Sequence, residues 1–130
     1  MITPVAQWLR ESRQSWALFT VANNFRLLHV ARMAVDEVIA FLDTSRRRVP
    51  NDIQLRDAAE SITANIREAY GRRKGAERNQ FFRYARGSAE ETDEHMRTNV
   101  ASNRVPADRY WRIHNRLIVV CRMLTKLMQE

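Results

Sequence analysis

The chain has little of what disulfide-rich, β-rich and membrane proteins depend on. Its single cysteine, Cys121, excludes an internal disulfide and fits a reducing cytoplasm. Three glycines and three prolines in 130 residues are too few for the many turns of an all-β sandwich. The longest aliphatic run, Leu117 to Val120, falls far short of the roughly 20 residues that span a bilayer. No basic start followed by an apolar stretch marks a secretory signal, so a cytoplasmic location and no membrane association are expected. There is no glycine-rich phosphate loop preceded by a strand. The three histidines, His29, His95 and His114, belong to different helical patterns, with no serine or cysteine beside them arranged as a nucleophile. His114 and Cys121 share a helix face but lie about 10 Å apart along it, too far to hold one metal. Glu91 and His95 are spaced four apart and lack the second copy that a bundle-core carboxylate centre needs. The expectation is a protein that is not an enzyme, with no catalytic residues, no metal and no cofactor.

What the chain does have is helical periodicity and arginine. Hydrophobic residues make up 45% and charged residues 28%, a balance that permits one soluble domain with a sizeable core. The net charge is +7 and 20 of the 22 basic residues are arginines. The excess is uneven. Residues 1–43 are neutral, residues 65–86 carry +5, residues 87–96 carry −4, and residues 97–130 carry +5. A surface polarised in this way favours anionic partners, nucleic acid first; the plainer alternative is that the charge serves solubility.

Four segments repeat apolar residues at spacings of three and four, the signature of amphipathic helices. The first runs from about Asn24 to Asp43, with Leu28, Ala31, Val35, Val38 and Leu42 as its seam. A second line of Leu27, Ala34 and Phe41 suggests burial on two sides. Pro50 keeps this helix from continuing. The second starts near Asn51, which reads with Gln54 as a capping box, and its seam is Leu55, Ala59, Ile62, Ile66 and Ala69. Gly71 and Gly75 then bracket a basic turn, a stop signal for a helix. The third, about Ala76 to Asn99, buries Phe82, Ala85, Ala89, Thr92 and Met96. Gly87 falls inside it at a cost of about 1 kcal/mol relative to alanine, which predicts a close helix contact there. Pro106 opens the fourth, with Ile113, Leu117, Val120, Leu124 and Leu127 in its seam. Trp111 and Ile118 lie on a further line, left open between a tighter monomer core and a second surface buried in an oligomer. Ahead of all four, Thr3 and Pro4 start a short amphipathic segment with Val5, Trp8, Leu9, Trp16 and Phe19 on one side. The expected organisation is an N-terminal amphipathic helical segment, residues 1–21, and a four-helix bundle, residues 22–130. Trp8, Trp16, Trp111 and Ile118 are its candidate oligomer contacts.

Two stretches resemble a known family. Ser61-Ile62-Thr63-Ala64-Asn65-Ile66-Arg67-Glu68-Ala69-Tyr70-Gly71-Arg72 is similar to the signature of the four-helix-bundle proteins encoded in 23S rRNA intervening sequences. Phe82-Arg83-Tyr84-Ala85-Arg86-Gly87-Ser88-Ala89-Glu90-Glu91 resembles that family's Ala-Arg-Gly-Ser segment. The resemblance covers roughly residues 24–130. Arg67 and Ala69 replace the usual alanine and glycine, and the N-terminal segment is an addition. It implies an antiparallel up-down bundle that assembles into a homo-oligomeric ring, with a pentamer favoured. It also implies kinship with the basic accessory proteins of diversity-generating retroelements, which work with nucleic acid.

Two groups of residues follow as candidates. Ser61, Asn65, Glu68 and Arg72 are spaced 4, 3, 4 and stack along one helical line at the edge of the core. Ser61, Asn65 and Glu68, joined by Arg86 of the second motif, read as a structural polar layer, with Asn65 able to bridge to another helix. The nucleic-acid candidates are Arg72, Arg73, Lys74 and Arg78 around one turn and Arg46, Arg47 and Arg48 in another. An up-down bundle puts these turns at opposite ends. Arg104, Arg109 and Arg112 belong at the end of Arg46–Arg48. In a ring, the Arg72–Lys74 turn would repeat as a basic collar. The expected function is an RNA- or DNA-binding accessory factor, and the alternative is a ring-forming module that binds another protein.

Overall fold

The computed structural model describes the backbone from Ser15 to Glu130 and the side chains from Arg26 onward. It contains four helices, α1 (Ser15–Thr44), α2 (Asp52–Tyr70), α3 (Ala76–Ala101) and α4 (Ala107–Met128), and no strand among the described residues. The expected N-terminal segment lies mostly outside the described residues, as do Trp8 and the side chain of Trp16. The helix α1 runs unbroken across the expected boundary between residues 21 and 22.

Each helix packs on its neighbours in the chain, and α4 returns to α1, so the four enclose one core. The contacts join the end of one helix to the start of another. Asp43 meets Arg56, Asn99 meets Asn51, Asn79 meets Met128, and Arg109 stacks on Phe41. Both apolar lines of α1 are used: Leu27, Ala34 and Phe41 are as buried as Ala31, Val35 and Val38. The seams of α2 and α3 are buried throughout, and alanines at Ala59, Ala85 and Ala89 face the interior with no exposed surface. Small side chains there let α2 and α3 approach closely, and theirs is the most extensive helix pair. Each fully buried Leu, Ile or Phe stabilises the fold by about 1.5–3 kcal/mol, so the interior seams hold the bundle together. On α4, Ile113, Leu117, Val120 and Leu124 are buried, whereas Trp111 and Ile118 are exposed.

The turns show which local signals act. Gly71 keeps an ordinary helical φ of −79°. Gly75 is the residue that the α2–α3 turn requires, with φ +142°, a backbone region that side chains disfavour. Asn103 closes α3 in the left-handed region with φ 57°. The amide of Arg104 donates to the Asn99 carbonyl at 2.8 Å and that of Asn103 to Val100 at 2.9 Å. This is the Schellman arrangement that turns a chain sharply at a helix end.

Two sequence expectations are corrected. Asn51 does not cap α2: its side chain makes no capping hydrogen bond. Instead its Nδ2 lies 3.2 Å from His95 Nδ1, and its Oδ1 accepts from Asn99 Nδ2 at 3.1 Å. Gly87 does not mark a close contact. It is exposed, and a Cβ added there would meet nothing within 4 Å. A periodic pattern says that a residue lies on a helix, but not that a neighbour covers its side. Gly87→Ala is therefore expected to stabilise the fold by about 0.5–1 kcal/mol, read from the urea midpoint. A loss of stability would restore the close-contact reading.

Candidate nucleic-acid interface

The α1–α2 loop and the α3–α4 turn lie at the same end of the molecule and bring together a cluster of arginines without ion-pair partners among the described residues. Arg46 and Arg47 from the loop, Arg104 from the turn and Arg109 from the first turns of α4 line one groove of about 260 Å³, floored by Phe41 and Pro106. On the other side of the loop, Arg46, Arg47 and Arg48 line a second groove of about 390 Å³ with Pro50, Asp52 and Ile53. The loop is thus a basic ridge between two concavities. Among the described residues, Arg46, Arg47, Arg48, Arg104 and Arg109 form no ion pair.

Several features prepare this end. Arg109 is held with its guanidinium 5.6 Å from the centre of the Phe41 ring, a cation–π contact that limits its freedom. The backbone of Arg104 is set by the Schellman turn. Asn51 and Asn99 tie the start of α2 to the end of α3, so they fasten the segment after the basic loop to the segment before the Arg104 turn. Asn99 is almost fully buried and its Nδ2 also donates to the His95 carbonyl at 2.9 Å. The nearby carboxylates Asp43 and Asp52 are occupied by Arg56, at 2.7 and 2.6 Å. Those hydrogen bonds, to Asp52 first and Asp43 second, raise the Arg56 pKa. Neither carboxylate forms an ion pair with a loop arginine.

The α2–α3 turn is different. Arg72 pairs with Glu68 and Glu77, each at 3.3 Å, and lies 5.0 Å over the Phe81 ring. Arg78 is half-buried, with its guanidinium 4.9 Å over Tyr70 and 5.3 Å over Phe82. Only Arg73 and Lys74 of this group stand exposed without an ion pair among the described residues. Two of the four cations expected to meet nucleic acid at this turn are therefore engaged within the chain.

The candidate polar layer is split in the structure. Ser61 and Ser88 bridge α2 and α3 through their hydroxyls at 2.9 Å. Asn65 donates to Ser61 Oγ and to the Ser61 carbonyl, both at 2.9 Å. It reaches no other helix, because its amide is already satisfied one turn back. Glu68 is on the surface with Arg72. Arg86 belongs to a different contact, donating to Thr125 Oγ1 of α4 at 3.1 Å.

One cluster was not legible in the sequence. Asp93 of α3 accepts from Tyr110 Oη at 3.3 Å, and its Oδ1 lies 2.7 Å from His114 Nδ1 of α4. Arg97 reaches Asp93 at 3.2 Å and Tyr110 Oη at 3.3 Å. The Tyr110 hydrogen bond first, and Asp93 after it, raise the Arg97 pKa. No spacing rule pairs residues 21 positions apart on different helices. The signal was confined to the acidic stretch within residues 87–96, of which Asp93 is turned inward. Trp111 sits beside this cluster, its ring 5.2 Å from that of His114, and it remains 56% exposed.

Burial raises the Tyr70 hydroxyl to about 12 and the Cys121 thiol to about 11, from ordinary values of 10.0 and 9.0. Both groups are neutral when protonated. Above pH 9 an unfolded chain gives up protons that the folded chain keeps. The stability these groups contribute is thus complete below about pH 9 and is lost as pH rises towards 12. Urea midpoints are expected to fall across that window, and a Tyr70→Phe, Cys121→Ala variant should flatten the decline. An unchanged slope in that variant would place its origin elsewhere.

Among the described residues there is no group of three His, Cys, Asp or Glu side chains suited to a metal ion. None of the described helices is long and apolar enough to cross a membrane.

The model of the 23S rRNA-intervening sequence protein family matches residues 46–126, from the first loop arginine almost to the end of α4. The chain belongs to that family. The match contains both basic turns, the Ser61–Ser88 bridge and the Asn51–Asn99 tie that positions the basic end. A crystal structure of a protein of unknown function from the S23 ribosomal protein family of Bacteroides thetaiotaomicron has the same fold. Its TM-score is 0.71 at 21% identity, and the likeness covers 83% of this chain and 99% of that one. Comparison with curated proteins finds no match. The family thus accounts for the helical architecture, and the case for function rests on the charge and geometry of this chain's own surface.

Proposed function

We propose that this 23S rRNA-intervening sequence family protein is a non-enzymatic accessory factor that binds structured RNA or DNA. In this reading it is an antiparallel up-down bundle whose basic end contacts phosphates. The end-to-start contacts between helices support the bundle arrangement. The resemblance to accessory proteins of diversity-generating retroelements supports the accessory role. The observation that carries the reading is the convergence of Arg46, Arg47, Arg48, Arg104 and Arg109 from three chain segments, with the nearby Asp43 and Asp52 held by Arg56. Guanidinium groups suit phosphate because their planar donor fork matches two oxygens at once. Such contacts position a nucleic acid without reading its bases, so binding tolerates many sequences and weakens steeply with salt.

A second reading, a homo-oligomeric ring acting as a protein-assembly module, has its own support. Trp111, Ile118 and Val119 are exposed on α4, on sides that the monomer core does not use. Here the ring, a pentamer by family resemblance, would bury these residues. Size-exclusion chromatography with light scattering and the 260/280 nm ratio, at low and high salt, tests both. Nucleic acid retained at low salt and released at high salt supports the first reading. A nucleic-acid-free particle that binds neither RNA nor DNA when these are added, at either salt, sinks it. A monomer at micromolar concentration sinks the second.

A further inference from the structure

The groove between the α1–α2 loop and the start of α4 holds more positive charge than an internal nucleic-acid phosphate needs. Arg46, Arg47, Arg104 and Arg109 all line its space of about 260 Å³. That is below the roughly 300–1,000 Å³ of sites that enclose whole small molecules. An internal phosphodiester brings one negative charge. A phosphate monoester brings about −1.5 to −2 at neutral pH, and three free oxygens as acceptors. Four arginines border this small concavity, two of them shared with the second groove, and a dianion offsets their mutual repulsion more fully than a monoanion. Shape points the same way. An internal phosphate carries chain on both sides and meets a concavity only at its rim, whereas a terminal phosphate can enter. One of the four guanidinium groups is held before any ligand arrives, that of Arg109 on the Phe41 ring, and the backbone of Arg104 is fixed by the turn that Asn99 anchors. Preorganised groups lose less freedom on binding. The second groove differs, since Asp52 and the exposed Ile53 share its wall with Arg48.

We propose that the Arg46–Arg47–Arg104–Arg109 groove binds a phosphate monoester, and that this is the phosphorylated end of a nucleic-acid strand. The proposal rests on the nucleic-acid reading above and adds a preference for ends. The test uses the full chain and 20-nucleotide RNA and DNA strands, carrying a 5′-phosphate, a 3′-phosphate or neither. Binding is followed by fluorescence anisotropy at low salt. The expected result is at least tenfold tighter binding of one phosphorylated form over the strand with two hydroxyl ends. The preference should shrink at pH 5.5, where the monoester loses its second charge, and should disappear in Arg104→Gln/Arg109→Gln. Arg46→Gln/Arg47→Gln changes exposed loop residues only and should reduce it as well. Millimolar nucleoside monophosphate should compete, while inorganic phosphate at equal concentration distinguishes capture of the free anion from recognition of a strand end by competing equally well. Equal affinity for all three strands overturns the end preference and leaves the nucleic-acid reading intact. Competition by inorganic phosphate without any strand preference also overturns it, as a site for free anions. Failure of every strand to bind overturns both proposals.

Discussion

Replacing Arg46, Arg47, Arg104 and Arg109 together with glutamine is expected to lower affinity for a random-sequence RNA or DNA by on the order of 100-fold at low salt. The same change should flatten the dependence of log affinity on log salt, by about 0.7–0.9 for each phosphate that is no longer neutralised. The reason is local. These side chains line one groove and none is held by a carboxylate among the described residues. The comparison variant is Arg73→Gln/Lys74→Gln at the opposite end of the bundle. Removing those two exposed cations should cost much less, because their neighbours Arg72 and Arg78 are already committed to Glu68, Glu77, Tyr70 and Phe82. Circular dichroism and light scattering on both variants would show that fold and assembly survive. If the Arg73/Lys74 variant instead lost binding and the four-arginine variant kept it, the interface would lie at the α2–α3 turn.

The other large effect is expected from a residue that carries no charge. Asn99→Ala should destabilise the protein by about 0.5–1.5 kcal/mol, the net worth of a hydrogen bond, because the partner left behind, Asn51, is only half-buried. At roughly 2.1 cal/mol/K per residue, this lowers the Tm by about 2–5 °C. The Asn99 amide donates to Asn51 Oδ1 and to the His95 carbonyl, and its side chain is almost fully buried. Its loss strands Asn51 and loosens the tie between the start of α2 and the end of α3. The Arg104 turn depends on the same segment, through the Asn99 carbonyl. Nucleic-acid affinity should therefore fall several-fold although no cation has been removed. A double-mutant cycle with Asn51→Ala checks the mechanism. Coupling of about 0.5 kcal/mol or more, within the roughly 0.5–3 kcal/mol seen for residues in one network, is expected. Additive losses would mean that the two asparagines act separately.

The exposed residues of α4 connect these results to assembly. Trp111 is packed against Tyr110 and His114 on one side and open on the other. In a ring it would be covered, and the basic ends would be repeated once per subunit. Repetition strengthens weak phosphate contacts through effective concentration. The particle could then hold an extended nucleic acid although each groove alone binds modestly.

The four bundle helices and their core seams were legible in the sequence for one physical reason, although α1 begins at Ser15 rather than near Asn24. A residue's place on a helix depends on a period of about 3.6 residues, so Leu55, Ile62, Ile66, Phe82 and Leu117 declare their burial locally. Arginine content and its uneven distribution were equally plain. What the tertiary structure decided is which charges remain free. Arg72 and Arg46 look alike in a sequence, each in a basic run beside a turn. Glu68 is a local partner of the first, one turn back on α2, but packing adds Glu77 and the Phe81 ring of α3, and it adds Asp43 of α1 to the local Asp52–Arg56 pair. The same holds for Asn51, whose cap-like spacing was local but whose partner lies 48 residues away. Gly87, by contrast, meets nothing at all. Helical periodicity and pairs four residues apart are properties of neighbours in the chain, whereas pairing between helices is a property of neighbours in space.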